Sequence, residues 1–372
     1  MKKFLIFLGH PAHFHLYKNI IKRLEENGHK LLVLIKEKDI LEELIKNEGF
    51  EYQNIQRVAN KKRQKNRFSI LAHSFYDLLI RDFRLYPIVK NFKPDLMIGS
   101  EPSIAHIGFV TGIPSIITIE DDLAVHPEFC HPTLPFATHI LTPHLCEYGR
   151  YNKKKIGYAG YHKLAYLHPN YFKPDINKVS ELIENDRPYY ILRLSALTAS
   201  HDVNIQGLND NLVDNLLEIL QPKGKVYISS ERQLAPRFEQ FRFRINPSLM
   251  HHALSFANLL VGDSQSMTVE AAILGTPSVR YSDFAGEISV LEELEHQYDL
   301  TYGVKTNNPD KLMKKVKELL EVSNIKPKWR ERADKMLSEK IDVTSFFVWF
   351  VENYPESAQQ VKSDPSYSTN FM

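Results

Sequence analysis

Residues 262–277 read GDSQSMTVEAAILGTP and combine a polar turn with a single carboxylate. The turn contains Ser264, Gln265 and Ser266, and Glu270 follows Ser266 by four residues, on the same helical face. Ser264 or Ser266 is a suitable N-cap. The first backbone N–H groups of a helix have no partners within the helix and readily bind phosphate. The turn is therefore predicted to bind a diphosphate and Glu270 a diol such as ribose; the alternative is a capped helix with Glu270 in solvent.

Three histidines, His10, His13 and His15, follow the first apolar run of the chain, KFLIFL. A histidine at the end of a strand can deprotonate a hydroxyl, because the imidazole pKa lies near neutral pH. The alternative for each is a hydrogen bond to nearby backbone. We expect at least one of the three to act at the site.

Acidic side chains follow two further predicted strands of the N-terminal half. Glu101 follows LMIGS, and Glu120 follows SIITI. Either carboxylate could orient a histidine or bind sugar hydroxyls. N-capping of a helix by Asp121 or Asp122 is the alternative at the second position.

In the C-terminal half, Arg193 lies at the end of the apolar run YYILRL. A guanidinium there can neutralise a diphosphate leaving group. His201, in the loop that follows, and Ser229, at the end of the next strand, are weaker candidates for donor contacts. The sequence has no Asp-x-Asp motif and no Cys/His cluster with metal-ligand spacing, so we expect neither a metal nor a cofactor.

Short apolar runs alternate with amphipathic stretches in both halves of the chain, which is typical of parallel sheets with helices on both faces. Since 372 residues exceed the usual size of one domain, we predict an α/β protein of two doubly wound, Rossmann-like domains that face each other across a cleft. The predicted parts are an N-terminal domain, a C-terminal domain, a terminal helix and a disordered tail, with bounds 1–168, 169–340, 341–355 and 356–372.

Composition narrows the class of protein. The net charge of +2 gives no reason to expect nucleic acid as a partner. Two cysteines, Cys130 and Cys146, form no disulfide framework, and no apolar stretch reaches 18 residues, so we expect a cytoplasmic protein. Residues 60–67, NKKRQKNR, are strongly basic. We interpret them as a solvated loop or as part of a peripheral membrane contact through residues 60–80, at the inner face of the membrane.

The stretch GDSQSMTVEAAILGTPSV resembles the donor-binding segment of the GT-B superfamily, in particular that of UDP-N-acetylglucosamine 2-epimerases. It is closer still to an uncharacterised prokaryotic family of glycosyltransferase-like proteins. The segments GYHKLAYLHP and YYILRLSALTASHD extend this resemblance over most of the chain. It implies a GT-B fold, with an acceptor-side N-terminal domain, a nucleotide-sugar-binding C-terminal domain and a terminal helix that packs back on the N-terminal domain. It also implies diphosphate contacts at 264–266 and ribose contact by Glu270. This sequence departs from the family at Gln265 and Ser266, where the relatives have glycine.

The resemblance also ranks the histidines. GT-B glycosyltransferases often have a loop histidine sixteen residues before the histidine of a Gly-His pair, and His13 stands in that relation to His29. His10, which follows a glycine, is the runner-up. Epimerases have acids near Glu101 and, less closely aligned, near Glu120.

The predicted function is transfer of a sugar from a nucleotide-sugar donor, UDP-linked by resemblance, to a glycan or lipid-linked acceptor in surface polysaccharide synthesis, without a metal. His13 would be the base if the reaction inverts the anomeric configuration and a binding residue if it retains it. Two alternatives stay open: a sugar-nucleotide 2-epimerase, and an inactive nucleotide-sugar-binding protein.

Overall fold

The computed structural model describes residues 1–36, 40–56, 67–182, 187–196 and 207–372, with the backbone alone given for 67–75. The chain divides into two compact units. The first comprises Met1–Tyr166 and Lys340–Met372, and the second comprises Leu167–Glu339. Both junctions fall within two residues of the predicted domain boundaries.

The first unit is built on a seven-stranded parallel sheet in the order β3-β2-β1-β4-β5-β6-β7. The chain adds β2 and β3 on one side of β1 and then crosses to add β4 on the other. The sheet therefore has its topological switch point between β1 and β4. The strands are β1 (Lys3–Leu8), β2 (Lys30–Lys36), β3 (Gln53–Gln56), β4 (Leu96–Gly99), β5 (Ser115–Thr118), β6 (His139–Pro143) and β7 (Lys155–Tyr158).

Helices of the first unit connect these strands. On one side α1 packs against α2, and on the other α3 packs against α4 and α4 against α5. The wholly buried run of β1 explains its central position, since both of its faces are covered by helices. The helices are α1 (Pro11–Glu26), α2 (Leu41–Asn47), α3 (Arg67–Phe92), α4 (Pro102–Thr111), α5 (Pro127–Thr133) and α6 (Leu164–Leu167).

The second unit contains a five-stranded parallel sheet in the order β12-β11-β10-β8-β9, with its switch point between β8 and β10. Its strands are β8 (Tyr189–Leu194), β9 (Lys225–Ser230), β10 (Leu259–Gly262), β11 (Ser278–Tyr281) and β12 (Thr301–Val304). Its helices are α7 (Asp210–Leu220), α8 (Met250–Phe256), α9 (Gln265–Ile273), α10 (Ser289–His296), α11 (Pro309–Leu320) and α12 (Ile325–Ser338).

Local sequence accounts for these helices. In α7 the side chain of Asn209 caps the first turn by accepting the N–H of Leu212. The apolar residues of α7 recur at helical spacing and are buried on one face. The same alternation of buried strand and one-sided helix makes both units doubly wound, as predicted.

The last part of the chain returns to the first unit. Helix α13 (Val343–Glu352) packs on α1, where Arg23 donates to Ser345 Oγ at 2.7 Å. This confirms the predicted terminal helix. The predicted disorder of residues 356–372 is wrong, because they form α14 (Glu356–Ser363) and a 3-10 helix (Tyr367–Phe371). The tail is polar in composition but contains apolar residues that bury well: Tyr367 stacks on Trp349 with ring centroids 4.8 Å apart.

Candidate functional site

The ends of β8 and β10 lie side by side at the switch point of the second sheet. Gly262, the last residue of β10, pairs with Arg193 of β8. A Cβ atom at Gly262 would lie 2.8 Å from the Arg193 carbonyl oxygen, so glycine permits this close approach. Ligands of open α/β sheets bind at such a switch point, outside the carboxyl ends of the strands.

Asp263 follows Gly262 and fixes the connection that leaves β8. Its carboxylate accepts the N–H of Ser195 at 2.6 Å and that of Leu208 at 3.1 Å. Burial raises the pKa of Asp263, although these N–H groups and Arg232 oppose the rise. Between the two anchored positions lies the predicted donor contact His201, which is outside the described residues.

Arg193 is held at the strand ends by two polar partners. Its Nη1 donates to Ser229 Oγ at 2.7 Å, and its Nη2 is paired with the carboxylate of Glu231. The Nε atom is buried and has no hydrogen-bond partner among the residues that the structure describes. The structure thus brings together two predicted residues, Arg193 and Ser229, and gives the serine the role of orienting the guanidinium.

Helix α9 begins directly after β10, as the sequence predicts. Ser264 is the N-cap, and its Oγ accepts the N–H of Met267 at 3.3 Å. Ser266 is exposed in the first turn. Since capping occupies the Ser264 hydroxyl, the exposed Ser266 and the first N–H groups of α9 are the groups that this turn offers to an anion.

The side chain of Gln265 is engaged with β11. It donates to Ser282 Oγ at 2.7 Å and accepts from Arg280 Nη1 at 2.6 Å. Arg280 is only 1% exposed, and burial lowers its pKa to about 10 despite the opposing effect of Glu292. A glycine at position 265 would leave this buried guanidinium without its amide partner, which gives a physical reason for the departure from the family pattern.

Glu270 lies one turn beyond Ser266 and is 14% exposed. Its Oε1 is 3.3 Å from Nε2 of His251, a residue of α8, and His251 packs edge-on against Phe172 with centroids 6.0 Å apart. The pair is therefore partly accessible, and Glu270 is not simply a solvent-exposed helix residue.

At the switch point of the first sheet, His10 and His13 follow β1. His10 is the N-cap of α1 and accepts the N–H of Ala12 at Nδ1. His13 Nδ1 accepts the N–H of Gly9 at 3.1 Å. An imidazole that accepts at Nδ1 has its proton on Nε2 when neutral, so Nε2 of His13 is a hydrogen-bond donor in this arrangement.

Glu101 lies beside this turn, at the end of β4, and is 3% exposed. Its Oε1 is 2.7 Å from Lys36 Nζ, and its Oε2 is 3.7 Å from Arg81 Nε. A Cβ atom at Gly9 would lie 1.6 Å from Oε1. The Glu101 carboxylate therefore fills the space that the absent Gly9 side chain leaves.

Glu120 is also buried, but its contacts are structural. The carboxylate pairs with Lys163 and accepts the N–H of His162 at 2.6 Å. Burial acts to raise the pKa of Glu120, but the charge of Lys163 and the hydrogen bonds from Lys163 and the His162 backbone outweigh it, so the pKa is lowered. The expected alternative of N-capping by Asp121 or Asp122 is wrong, since α5 is preceded by His126 and Asp122 accepts the N–H of Glu147.

Sequence reasoning missed several residues near the carboxyl ends of the strands in the two sheets. Lys36 is the last residue of β2 and Glu231 follows β9, so the strand-end criterion that selected Arg193 would have found both. Arg81 and Arg280 lie inside α3 and β11, where no local pattern distinguishes them. Among the residues that the structure describes, no helix is long and apolar enough to cross a bilayer, and no three potential metal ligands cluster.

Two doubly wound parallel units with polar residues at both switch points define the class of protein: the fold is that of the GT-B superfamily, and solved structures share it. One is the MnaA–UDP co-structure from S. aureus (TM-score 0.64, 11% identity, 96% of this chain and 98% of that chain). Another is UDP-GlcNAc 2-epimerase from Neisseria meningitidis bound to UDP-GlcNAc (0.60, 13%, 94% and 99%). A third is the glycosyltransferase SsfS6 from Streptomyces sp. SF2575 complexed with thymidine diphosphate (0.59, 14%, 95% and 99%).

The family follows from the sequence match. The chain belongs to the family described as Protein of unknown function (DUF354), whose model matches residues 3–342. No curated protein matches the chain.

Proposed function

We propose that the protein is a glycosyltransferase that uses a nucleoside diphosphate sugar as donor. The observation that supports this best is the arrangement at the switch point of the second sheet. There Arg193 lies near the end of β8, and its buried Nε has no hydrogen-bond partner among the described residues. The first turn of α9, with exposed Ser266, follows the neighbouring strand. A cation beside a helix N-terminus suits a diphosphate.

In this proposal the nucleotide extends along α9. The backbone N–H groups of the first turn and Ser266 bind the diphosphate, and Arg193 neutralises the charge that develops when the sugar departs. Glu270, one turn deeper, accepts hydrogen bonds from the ribose hydroxyls while His251 holds its carboxylate. Solved structures of the same fold in complex with UDP, UDP-GlcNAc and thymidine diphosphate support a nucleotide of this kind.

The first unit would bind the acceptor, at the edge formed by His13 and Glu101. Because His13 accepts at Nδ1, it would donate Nε2–H to a substrate oxygen. A role as base in an inverting reaction would require the hydrogen bond from Gly9 to break. Activity should therefore depend on His13 as a donor, so that His13→Gln, which keeps an N–H donor, retains more activity than His13→Ala.

The first experiment measures UDP binding by calorimetry. Arg193→Gln should weaken it at least tenfold, because a charge-assisted hydrogen bond to phosphate contributes about 1.5–3 kcal/mol. The matched control is Arg237→Gln, which removes a guanidinium of the same unit that pairs with Asp214 at the surface. Equal affinity of the Arg193 variant and the wild type would refute the diphosphate assignment.

The ribose contact needs a separate measurement. In the wild type, UDP should bind more tightly than 2′-deoxy-UDP, since Glu270 accepts from the 2′-hydroxyl. In Glu270→Ala the difference should vanish. A preference for the ribonucleotide that survives in Glu270→Ala would show that another group reads the diol.

The second candidate function is sugar-nucleotide 2-epimerisation, favoured by the shared fold with solved 2-epimerases. The two reactions differ in their products. Incubation with UDP-sugars, with and without glycan and lipid-linked acceptors, distinguishes them by nucleotide release and product mass. Acceptor-dependent release of UDP supports transfer, an isomerised sugar nucleotide without acceptor supports epimerisation, and binding without turnover supports an inactive binding protein.

A further inference from the structure

The helix α3 of the first unit exposes a row of large apolar side chains. Tyr76, Leu79, Phe83 and Tyr86 recur every three or four residues, and Phe83 is 79% exposed. At about 100° per residue these four side chains lie on one strip of the helix, away from buried Leu78, Leu85 and Val89. We call this strip, with Lys90 on the same face, the α3 stripe.

The α3 stripe belongs to a layer formed by α3, α4 and Phe136, which exposes further apolar side chains outside the stripe. Helix α4 packs beside α3, where His106 Nδ1 is 2.8 Å from Asp82 Oδ2, and exposes Phe109 and Val110, each 68% accessible. Phe136, just after α5, contacts Phe109 with centroids 5.5 Å apart and is also exposed. Of the eleven large apolar side chains that the described residues expose, seven belong to this layer. Concentrated exposure of this kind marks an interaction surface.

Charge identifies what covers the surface. The α3 stripe contains one cation, Lys90, whose Nζ lies 5.6 Å from the Tyr86 ring centroid, and no acid. In the sequence, five basic residues and no acidic one occupy positions 60–67, of which 60–66 lie outside the described residues and Arg67 begins α3. Aromatic rings beside cations suit the interface of an anionic bilayer. A second copy of the chain would instead place like charges against each other.

We propose that the α3 stripe, with Phe109 and Val110, docks the protein on an anionic lipid surface. The aromatic side chains enter the interfacial region, while Lys90 contacts acidic headgroups. This inference goes beyond the proposed function and does not depend on it, because it rests on a different face of the first unit and on no substrate.

Vesicle cosedimentation tests the proposal with the full chain. The wild type should bind vesicles of equal parts phosphatidylglycerol and phosphatidylcholine at least about tenfold more tightly than pure phosphatidylcholine vesicles, and high salt should weaken this binding. Phe83→Ser combined with Phe109→Ser should lower the affinity by about tenfold or more. Ile176→Ser, which removes an exposed apolar side chain of the second unit, should leave it unchanged.

Two charge-reversal variants complete the test. Lys90→Glu should weaken binding to the anionic vesicles, whereas Lys223→Glu, an equal change of net charge at an exposed site of the second unit, should not. Thermal unfolding of each variant verifies that it is folded. Failure of the wild type to bind the anionic vesicles would overturn the proposal. So would a solution dimer that Phe83→Ser and Phe109→Ser dissociate, since a second copy would then cover the stripe.

Discussion

Substitution of Gly9 by alanine probes the packing at the first switch point. The added Cβ atom would lie 1.6 Å from Glu101 Oε1, 2.5 Å from its Cδ and 3.0 Å from its Cγ, so the carboxylate must leave its position. It would lose its 2.7 Å contact with Lys36 in a buried environment. Removing one partner of a buried ion pair costs about 3–5 kcal/mol. We expect the free energy of unfolding, measured by urea denaturation, to fall by about 3 kcal/mol, the lower end of this range, because both charges remain in the chain and Lys36 is 22% exposed.

The decisive control is the same substitution in a Glu101→Ala background. All three atoms that crowd the new methyl group belong to the Glu101 side chain, so Gly9→Ala should there cost little. The coupling free energy between the two substitutions should therefore be several kcal/mol. An equal loss of stability in both backgrounds would refute the account, because the penalty would then come from the backbone and not from the displaced carboxylate.

Three further predictions concern stability. Asp342→Ala removes the N-cap of α13, whose carboxylate accepts an N–H at 2.9 Å, and should cost about 1 kcal/mol in urea denaturation. Gln265→Gly should cost about 2 kcal/mol in the wild type but much less in an Arg280→Met background, since the buried guanidinium loses its partner only in the former. Burial lowers the pKa of His162 to about 4, so the folded state keeps this ring neutral whereas the unfolded chain protonates near pH 6.5. The contribution of the neutral ring to the free energy of unfolding is therefore present above pH 6.5 and is lost as the pH falls, by about 3 kcal/mol. Between neutral pH and about pH 4.5, His162→Phe should lose less stability than the wild type.

Much of the architecture is readable from local sequence. The run FLIFL, residues 4–8, is apolar throughout and follows two lysines, which is how a strand buried on both faces appears, and it forms most of β1. Strand β3, QNIQ, lies at the edge of the sheet, contains one aliphatic residue and gives no such signal. The ordered tail was missed for a related reason, because its few apolar residues gain their importance only from contacts with α13.

The positions of candidate site residues were easier to predict than their partners. Strand ends and a helix entrance are local features, and they correctly located Arg193 and the Ser264 cap. The partner of Gln265 is Arg280 on the following strand, and that of Glu101 is Lys36, which lies 65 positions earlier in the chain. Such pairs arise only when parallel strands bring distant residues to one edge of a sheet.

The first unit is assembled from two separate stretches of chain, and this bears on the order of folding during synthesis. Helix α13 buries Phe346 and Phe350 and receives hydrogen bonds from Lys2 and Arg23, residues that are translated before the second unit. All of residues 167–339 are translated in between. A nascent chain released before residue 340 would have α1 uncovered, whereas the inserted unit would already be complete. Ribosome-bound intermediates should therefore gain the second unit's protease resistance before that of the first.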